Sequence, residues 1–289
     1  MGMSLASGGA ETTVLLIAII YASWPVLATV AQRMMLIMSR PPPRLYVDTR
    51  LRASEVIILE SNHAHYLGNV LRLKAGADVL LFNGQDGEWR TEIIDVGRKA
   101  CTLRPTSQSR PQDESPKLML AFAPLKKLPM DFLVEKATEL GVGILQPVIT
   151  ERTETSRLKS ERLAAQAREA AEQCERLTVP EVMPVLRLAD FVAAWPASQP
   201  LWMGDETGGG VAFADALKDH AIPSPTATPH GILIGPEGGF TPRELETLDA
   251  LAFVKRIDLG PRILRAETAA LASLTCWQAL LGDWHRLNH

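Results

Sequence analysis

The feature that most limits how this chain can fold is a pair of strand–glycine–helix junctions in its C-terminal third. The apolar run Gly231-Ile-Leu-Ile234 leads into Gly235-Pro236-Glu237-Gly238-Gly239. Thr241-Pro242-Arg243-Glu244 then spells a capping box with proline at the first helical position, so a helix starts there. Twenty-five residues after Gly235 the pattern returns: a strand candidate ends at Leu259, and Gly260-Pro261-Arg262-Ile263-Leu264-Arg265-Ala266-Glu267 carries the chain into another helix. Glycine at a strand end lets a ligand approach the backbone and exposes its N–H and C=O groups. Two neighbouring bends of this kind form the crevice at which α/β proteins hold ligands. Either bend alone reads as a tight βα connection. Four ionisable groups around the pair (Glu237, Arg262, Arg265 and Glu267) argue for a site. No Gly-Lys-Ser/Thr follows, so this is not a P-loop, and Gly141-Val-Gly143 precedes a strand, so it is not a dinucleotide fingerprint.

The rest of the chain divides by pattern. Short β-rich runs at 44–47, 79–82, 89–94 and 100–103 alternate with turns, with Asn83-Gly84 and Asp86-Gly87 marking a hairpin. Together with one short helix near 63–73 they predict a small β-barrel domain over 41–112, ending in a polar, proline-bearing linker over 107–116. Beyond it, strand candidates at 118–123, 144–149, 200–203, 231–234 and 254–259 alternate with helical stretches at 130–140, 158–177, from 241, and 266–281. That alternation predicts an α/β domain with parallel strands over 113–289. Leu163, Ala167, Ala170, Cys174 and Leu177 fall on one stripe of the second helix.

With 46% hydrophobic and 22% charged residues, wholesale disorder is excluded, and with 30 basic against 33 acidic residues so is a histone-like binder. The charge is unevenly spread. Residues 40–112 carry 11 Lys and Arg against 8 Asp and Glu, and residues 113–289 carry 18 against 24, so a polyanion meets the first part more readily. Three dispersed cysteines, Cys101, Cys174 and Cys276, without C-x-x-C spacing indicate neither a disulfide framework nor a zinc knuckle and fit a reducing, cytoplasmic setting. His63 and His65 are read as ordinary helix-side histidines and no metal is expected. Trp277 and Trp284 are read as packing residues, and Lys126-Lys127 as a solvated loop pair.

Residues 1–40 form an apolar leader. Thr12 to Gln32 is a run of 21 residues without formal charge, long enough to span a bilayer, and Arg33 and Arg40 after it would keep the remaining chain in the cytoplasm. A cleaved signal peptide is disfavoured, because no Lys or Arg precedes the apolar run. The favoured reading is a misassigned translation start, since Met34, Met35 and Met38 lie at the end of the leader and Met38-Ser-Arg-Pro-Pro-Pro-Arg is an ordinary beginning. Membrane association is expected only if the leader is translated and inserted.

The chain from about Pro43 to Gly282 resembles the RsmE-type 16S ribosomal RNA uracil-N3 methyltransferases, members of the SPOUT superfamily of knotted methyltransferases. The resemblance is carried by Arg44-Leu-Tyr, His65-Tyr-Leu-Gly-Asn-Val-Leu-Arg72, Val134-Glu-Lys-Ala-Thr-Glu-Leu-Gly-Val142, Glu169-Ala-Ala-Glu-Gln-Cys174, Ile234-Gly-Pro-Glu-Gly-Gly239 and Leu259-Gly-Pro-Arg-Ile-Leu-Arg-Ala-Glu-Thr-Ala269, in that order. It implies a PUA-like RNA-binding barrel, a C-terminal α/β domain tied in a trefoil knot, and a homodimer acting on 16S rRNA of the small ribosomal subunit. It also implies S-adenosylmethionine held by Leu233, Gly235, Pro236, Glu237, Gly238, Leu259, Gly260 and Leu264. Two departures stand out: Glu175 occupies a place after Gln-Cys where the family usually has Gly, and typical members lack the leader.

Methylating N3 of uracil requires that its proton be removed or weakened and the developing anion held. Arg265 on the second bend and Arg44 from the barrel are expected at the target nucleotide, Arg72 at an RNA phosphate, and Glu267 or Glu237 as the acid–base group. Two other readings stay open: a related knotted enzyme with another target such as a ribose 2′-oxygen, and a non-catalytic RNA-binding assembly factor with vestigial glycine bends.

Overall fold

The computed structural model describes residues 41–113, 118–154, 158–218, 220 and 230–285. The leader, with its anchor, signal and start-site readings, lies outside them. Among the described residues no helix is long and apolar enough to cross a membrane.

Alternation builds the N-terminal sheet. In β2 (Ile57–Glu60) Ile57 and Leu59 point inward while Ile58 and Glu60 face solvent, and in β3 (Asp78–Phe82) Val79 and Leu81 are fully buried. With β1 (Arg44–Tyr46), β4 (Glu88–Val96) and β5 (Ala100–Arg110) they form a five-stranded sheet in the order β1-β3-β4-β5-β2, antiparallel except for the β1–β3 pair. The hairpin expected at 83–87 is present: Asn83 Oδ1 accepts from the backbone N–H groups of Gln85 and Asp86, a turn made by the side chain. Two expectations shift. Residues 107–110, read as linker, continue β5, because Ser109 and Arg110 both bond Glu88 across the ladder. The helix near 63–73 is α1 (Ser61–His65) running into a π-helical turn at Tyr66–Val70, and Arg72 stops it with φ 57°.

The second sheet is parallel throughout. Its strands are β6 (Leu118–Phe122), β7 (Ile144–Ile149), β8 (Glu181–Val182), β10 (Leu201–Gly204), β11 (Val211–Ala212), β12 (His230–Ile234) and β13 (Val254–Asp258), in the order β11-β13-β10-β12-β6-β7-β8. A further short strand, β9 (Leu186–Arg187), pairs with β7. The helices are α2 (Lys127–Glu139), α3 (Ser160–Gln173), α4 (Leu188–Ala194), α5 (Phe213–Leu217), α6 (Pro242–Asp249) and α7 (Ala266–Leu280). The capping box that starts α6 is formed, with the Thr241 hydroxyl accepting from Glu244 N and the Glu244 carboxylate accepting from Thr241 N. Helix α3 stops at Gln173, short of the expected 177, because Glu175 turns into the left-handed region at φ 60°. Glycine enters that region as readily as the right-handed one, whereas a glutamate is uncommon there. Cys174, placed on the apolar stripe by its spacing, is therefore exposed, while Leu177 remains buried.

Every residue of β12 is buried because helices cover both faces of the sheet. Ile232 and Ile234 enter one core with Leu133 of α2, Ala167 of α3 and Trp277 of α7. Leu233 enters the other with Phe191 of α4 and Leu248 of α6. Each such aliphatic side chain contributes roughly 1.5–3 kcal/mol by leaving water. At Gly231 a side chain has no room: a Cβ there would lie 2.3 Å from Trp195 Cη2 and 2.8 Å from Leu201 Cδ1. His230 begins the strand against the rings of Trp202 and Trp277, its Nδ1 accepting from Trp277 Nε1 at 3.4 Å. Burial, with a smaller push from His220, lowers its pKa from 6.5 to about 4.

Gly231→Val is expected to cost about 2 kcal/mol through overpacking and to lower the melting temperature by roughly 4–8 °C; an unchanged melt would show that Trp195 moves aside freely. His230 gives a pH signature. The unfolded chain binds its proton near pH 6.5 and the folded chain only near 4, so the stability it contributes is complete above about pH 6.5 and lost as pH falls towards 4. Thermal melts of wild type and His230→Phe across that window should converge in slope above pH 6.5, with the wild type falling faster below it.

Candidate active site at the strand ends

Because the strands are parallel, the loops leaving β6, β10, β12 and β13 emerge on one edge of the sheet, where they line a crevice of about 1010 Å³. Gly235, Pro236 and Glu237 come from the first glycine bend, and Gly260, Arg262, Leu264 and Arg265 from the second, with Leu259 at its start. The two bends read from the sequence thus share one cavity. The loop after β10, Gly204 to Gly208, and the start of α2, Lys126 to Pro129, complete its walls.

Each wall is held by identifiable contacts. In the first bend Gly239 N donates to Pro236 O at 2.9 Å, and Arg152 donates to the carbonyl oxygens of Gly238 at 2.8 Å and Phe240 at 3.4 Å. Glu244, buried at the start of α6, accepts from Glu151 N at 2.8 Å, so the loop after β7 braces the bend from behind. Gly235 is required by packing: a Cβ there would meet the Phe240 ring at 2.8 Å. Gly260 differs. Its φ of 106° is open only to glycine, its N–H donates to Asp258 Oδ1 at 2.9 Å, and the space where a Cβ would stand is empty to 4 Å.

The third wall was not expected from the sequence. Asp205 Oδ1 accepts from the backbone and hydroxyl of Thr207 at 2.8 and 2.7 Å, and Oδ2 from Gly209 N at 3.1 Å. Arg256 of β13 ties Asp205 at 3.1 Å to Asp249 of α6. Burial, the largest influence, pushes the Asp205 carboxyl up, but the Thr207 donors and Arg256 outweigh it and hold the group below the usual carboxylate range. A strand followed by Gly204-Asp-Glu-Thr-Gly-Gly-Gly210 carried the same signal as the two recognised bends.

The remaining expected residues are spread more widely. Arg265 is exposed, at the N-cap of α7, and lines the crevice. Glu267, in the first turn of the same helix, is half-buried and is not among the lining residues. Glu237 is exposed and lies 3.9 Å from Lys126, which also pairs with Glu154 at 3.2 Å. Leu233 is interior, in register with Met203 and Ala121, and Gly238 faces Arg152 rather than the cavity. Arg72 is exposed on the first sheet's helical turn. Arg44 lies away from the crevice in the seam between the first sheet and the end of α3, its side chain only 7% exposed, paired with Glu88 at 2.6 Å. His65 bonds Asn69 at 2.8 Å, and burial lowers the pKa of His63.

An RNA methyltransferase domain family matches residues 113–278 and an RNA methyltransferase PUA domain family matches residues 59–106. The chain is 34% identical over 235 residues to ribosomal RNA small subunit methyltransferase E of Rickettsia conorii, covering 80% of this chain and 93% of that one. It is 33% identical over 242 residues to the protein of the same name from a Synechocystis species, covering 82% and 78%. Among solved structures, a putative methyltransferase from Legionella pneumophila in complex with the cofactor SAM superposes with a TM-score of 0.75 at 29% identity, covering 84% of this chain and all of that one. The ribosomal RNA small subunit methyltransferase E of Neisseria gonorrhoeae bound to S-adenosylmethionine gives 0.74 at 28%, covering 84% and 99%. The fold is thus that of the knotted SPOUT methyltransferases behind a PUA-like domain, and the chain belongs to the ribosomal RNA small subunit methyltransferase E family.

Proposed function

We propose that this protein methylates N3 of a uridine in 16S ribosomal RNA, with S-adenosylmethionine as donor, as a cytoplasmic homodimer. Residues 41–112 serve as the RNA-binding part and residues 113–289 as the catalytic part. The observation that carries the reading is the meeting of both glycine bends in one crevice.

The crevice fits the donor. Its volume is at the upper end of small-molecule sites, its walls combine apolar Ile234, Leu259 and Leu264 with bend backbone, and the open side of Gly260 admits a close approach. Gly235, Pro236, Glu237, Leu259, Gly260 and Leu264 would hold it, with Leu233 and Gly238 shaping the first bend from behind. When bound, S-adenosylmethionine supplies a methyl group on a positively charged sulfur. The chain must do the rest. N3 of uracil is almost neutral, so it must lose its proton to attack; that loss puts negative charge on the ring oxygens until the methyl group is transferred and the neutral thioether leaves. Arg265, on the crevice wall, would stabilise that charge. Glu237 or Glu267 would take the proton. Arg72 would hold an RNA phosphate. The base must be unpaired or extruded, since N3 is otherwise engaged in pairing. Dimer formation is supported by Leu128 and Ile263, apolar side chains on the crevice rim left 79% and 84% exposed in the single chain.

Primer extension on 16S rRNA from a strain lacking the enzyme tests the function: a stop at one uridine should require both protein and S-adenosylmethionine, and a stop-free read with both present would end the proposal. Arg265→Ala should lower kcat by roughly 10²–10³-fold with S-adenosylmethionine affinity unchanged in a calorimetric titration; retention of normal turnover would remove Arg265 from its role. Gly260→Ala should show the opposite pattern, weakening donor binding, because alanine at φ 106° strains the bend by about 1–3 kcal/mol.

A further inference from the structure

The seam between the first sheet and the end of α3 contains a charged cluster that crevice chemistry does not use. Arg44 of β1 sends Nε to Glu88 Oε2 at 2.6 Å, Nη1 to Ala171 O at 2.6 Å and Nη2 to Arg176 O at 2.7 Å, while its guanidinium lies 3.6 Å from the centre of the Phe82 ring. Ala171 lies in the last turn of α3 and Arg176 just beyond it, so Arg44 satisfies carbonyl groups that the helix end leaves without partners. Three further contacts cross at the same place. Tyr46 N donates to Glu172 Oε1 at 2.8 Å, Arg110 bridges Glu88 at 2.7 Å and Glu175 O at 2.8 Å, and Phe82 packs on Ala171 and Leu177.

Helix α3 is in turn fastened to the helix that opens at the crevice. Arg162 pairs with Asp131 of α2 at 2.7 Å, and Arg176 Nη1 donates to Thr138 O at 2.6 Å. The N-terminal end of α2, Lys127 to Pro129, is crevice wall. A continuous set of contacts therefore runs from β1 through α3 and α2 to the crevice.

We propose that Arg44 is a positioning residue: by locking the first sheet onto the end of α3 it fixes RNA bound on that sheet at a set distance from the crevice. This deepens the functional reading above and rests on it. Fixing two modules relative to each other turns delivery of the target base into an intramolecular step, and loosening them forfeits that advantage without touching either binding surface.

Arg44→Met keeps a long unbranched side chain at the position and removes the charge, every donor and the guanidinium over Phe82. With 30S subunits as substrate, kcat/KM should fall at least tenfold, while the calorimetric Kd for S-adenosylmethionine and the Kd for 16S rRNA each stay within about twofold. Glu172→Ala removes a single seam bond and leaves Arg44 in place; it should show the same pattern more weakly, and Glu172→Gln, whose side-chain oxygen can still accept from Tyr46 N, should behave as wild type. The Glu172 pair decides the matter if Arg44→Met does not fold. Wild-type turnover in both Arg44→Met and Glu172→Ala overturns the proposal, as does equal damage in Glu172→Gln and Glu172→Ala. An inactive wild-type protein would instead refute the functional reading itself.

Discussion

The structure depends on a single constraint: every strand pair of the second sheet is parallel. Parallel strands cannot be joined by tight hairpins, so each connection crosses a face of the sheet and both faces become buried. This is why β12 can be wholly apolar apart from His230, and why Gly231 must stay small beneath Trp195. The same constraint gathers the carboxyl ends of β6, β10, β12 and β13 on one edge. Four loops that would be unrelated connections in another fold become the walls of one crevice.

Those loops are held still by groups within and behind the crevice walls. Arg152 and Glu244 brace the first bend, Asp258 the second, and the Asp205–Arg256–Asp249 chain the third. A site that must bring two reactants together gains from loops ordered before binding, since the ordering cost is then met on folding rather than in each turnover. The seam at Arg44 extends the same logic to the larger element, placing a whole sheet rather than a loop.

What was legible in the sequence was what short-range chemistry determines. The first bend could be read because an apolar strand, three glycines and a capping box follow one another within fourteen residues, and the second because strand, glycine turn and helix repeat. The third bend carried a comparable signal at Gly204 to Gly210, yet its anchor Arg256 lies about fifty residues away on β13, where no local pattern points to it. Strands β8, β9 and β11 have two residues each, too few for alternation to register. Arg44 shows the limit most clearly. Its identity marks a residue with a role, and its spacing says nothing about whether the guanidinium faces RNA or the carbonyl groups at the end of α3, 127 residues later. The strand order, with β10 and β13 beyond β12 and β6 inside it, is likewise invisible to periodicity, because it is fixed by which faces and edges pair after the chain has collapsed.

The central claim is that the bends beginning at Gly235 and Gly260 jointly embrace the methyl donor. A crystal structure grown with S-adenosylmethionine tests it most directly. Donor density is expected between those bends, in contact with backbone atoms of Gly235 to Glu237 on one side and Leu259 to Leu264 on the other. Density bound elsewhere on the molecule, with the space between the bends holding only solvent at saturating donor, would contradict it.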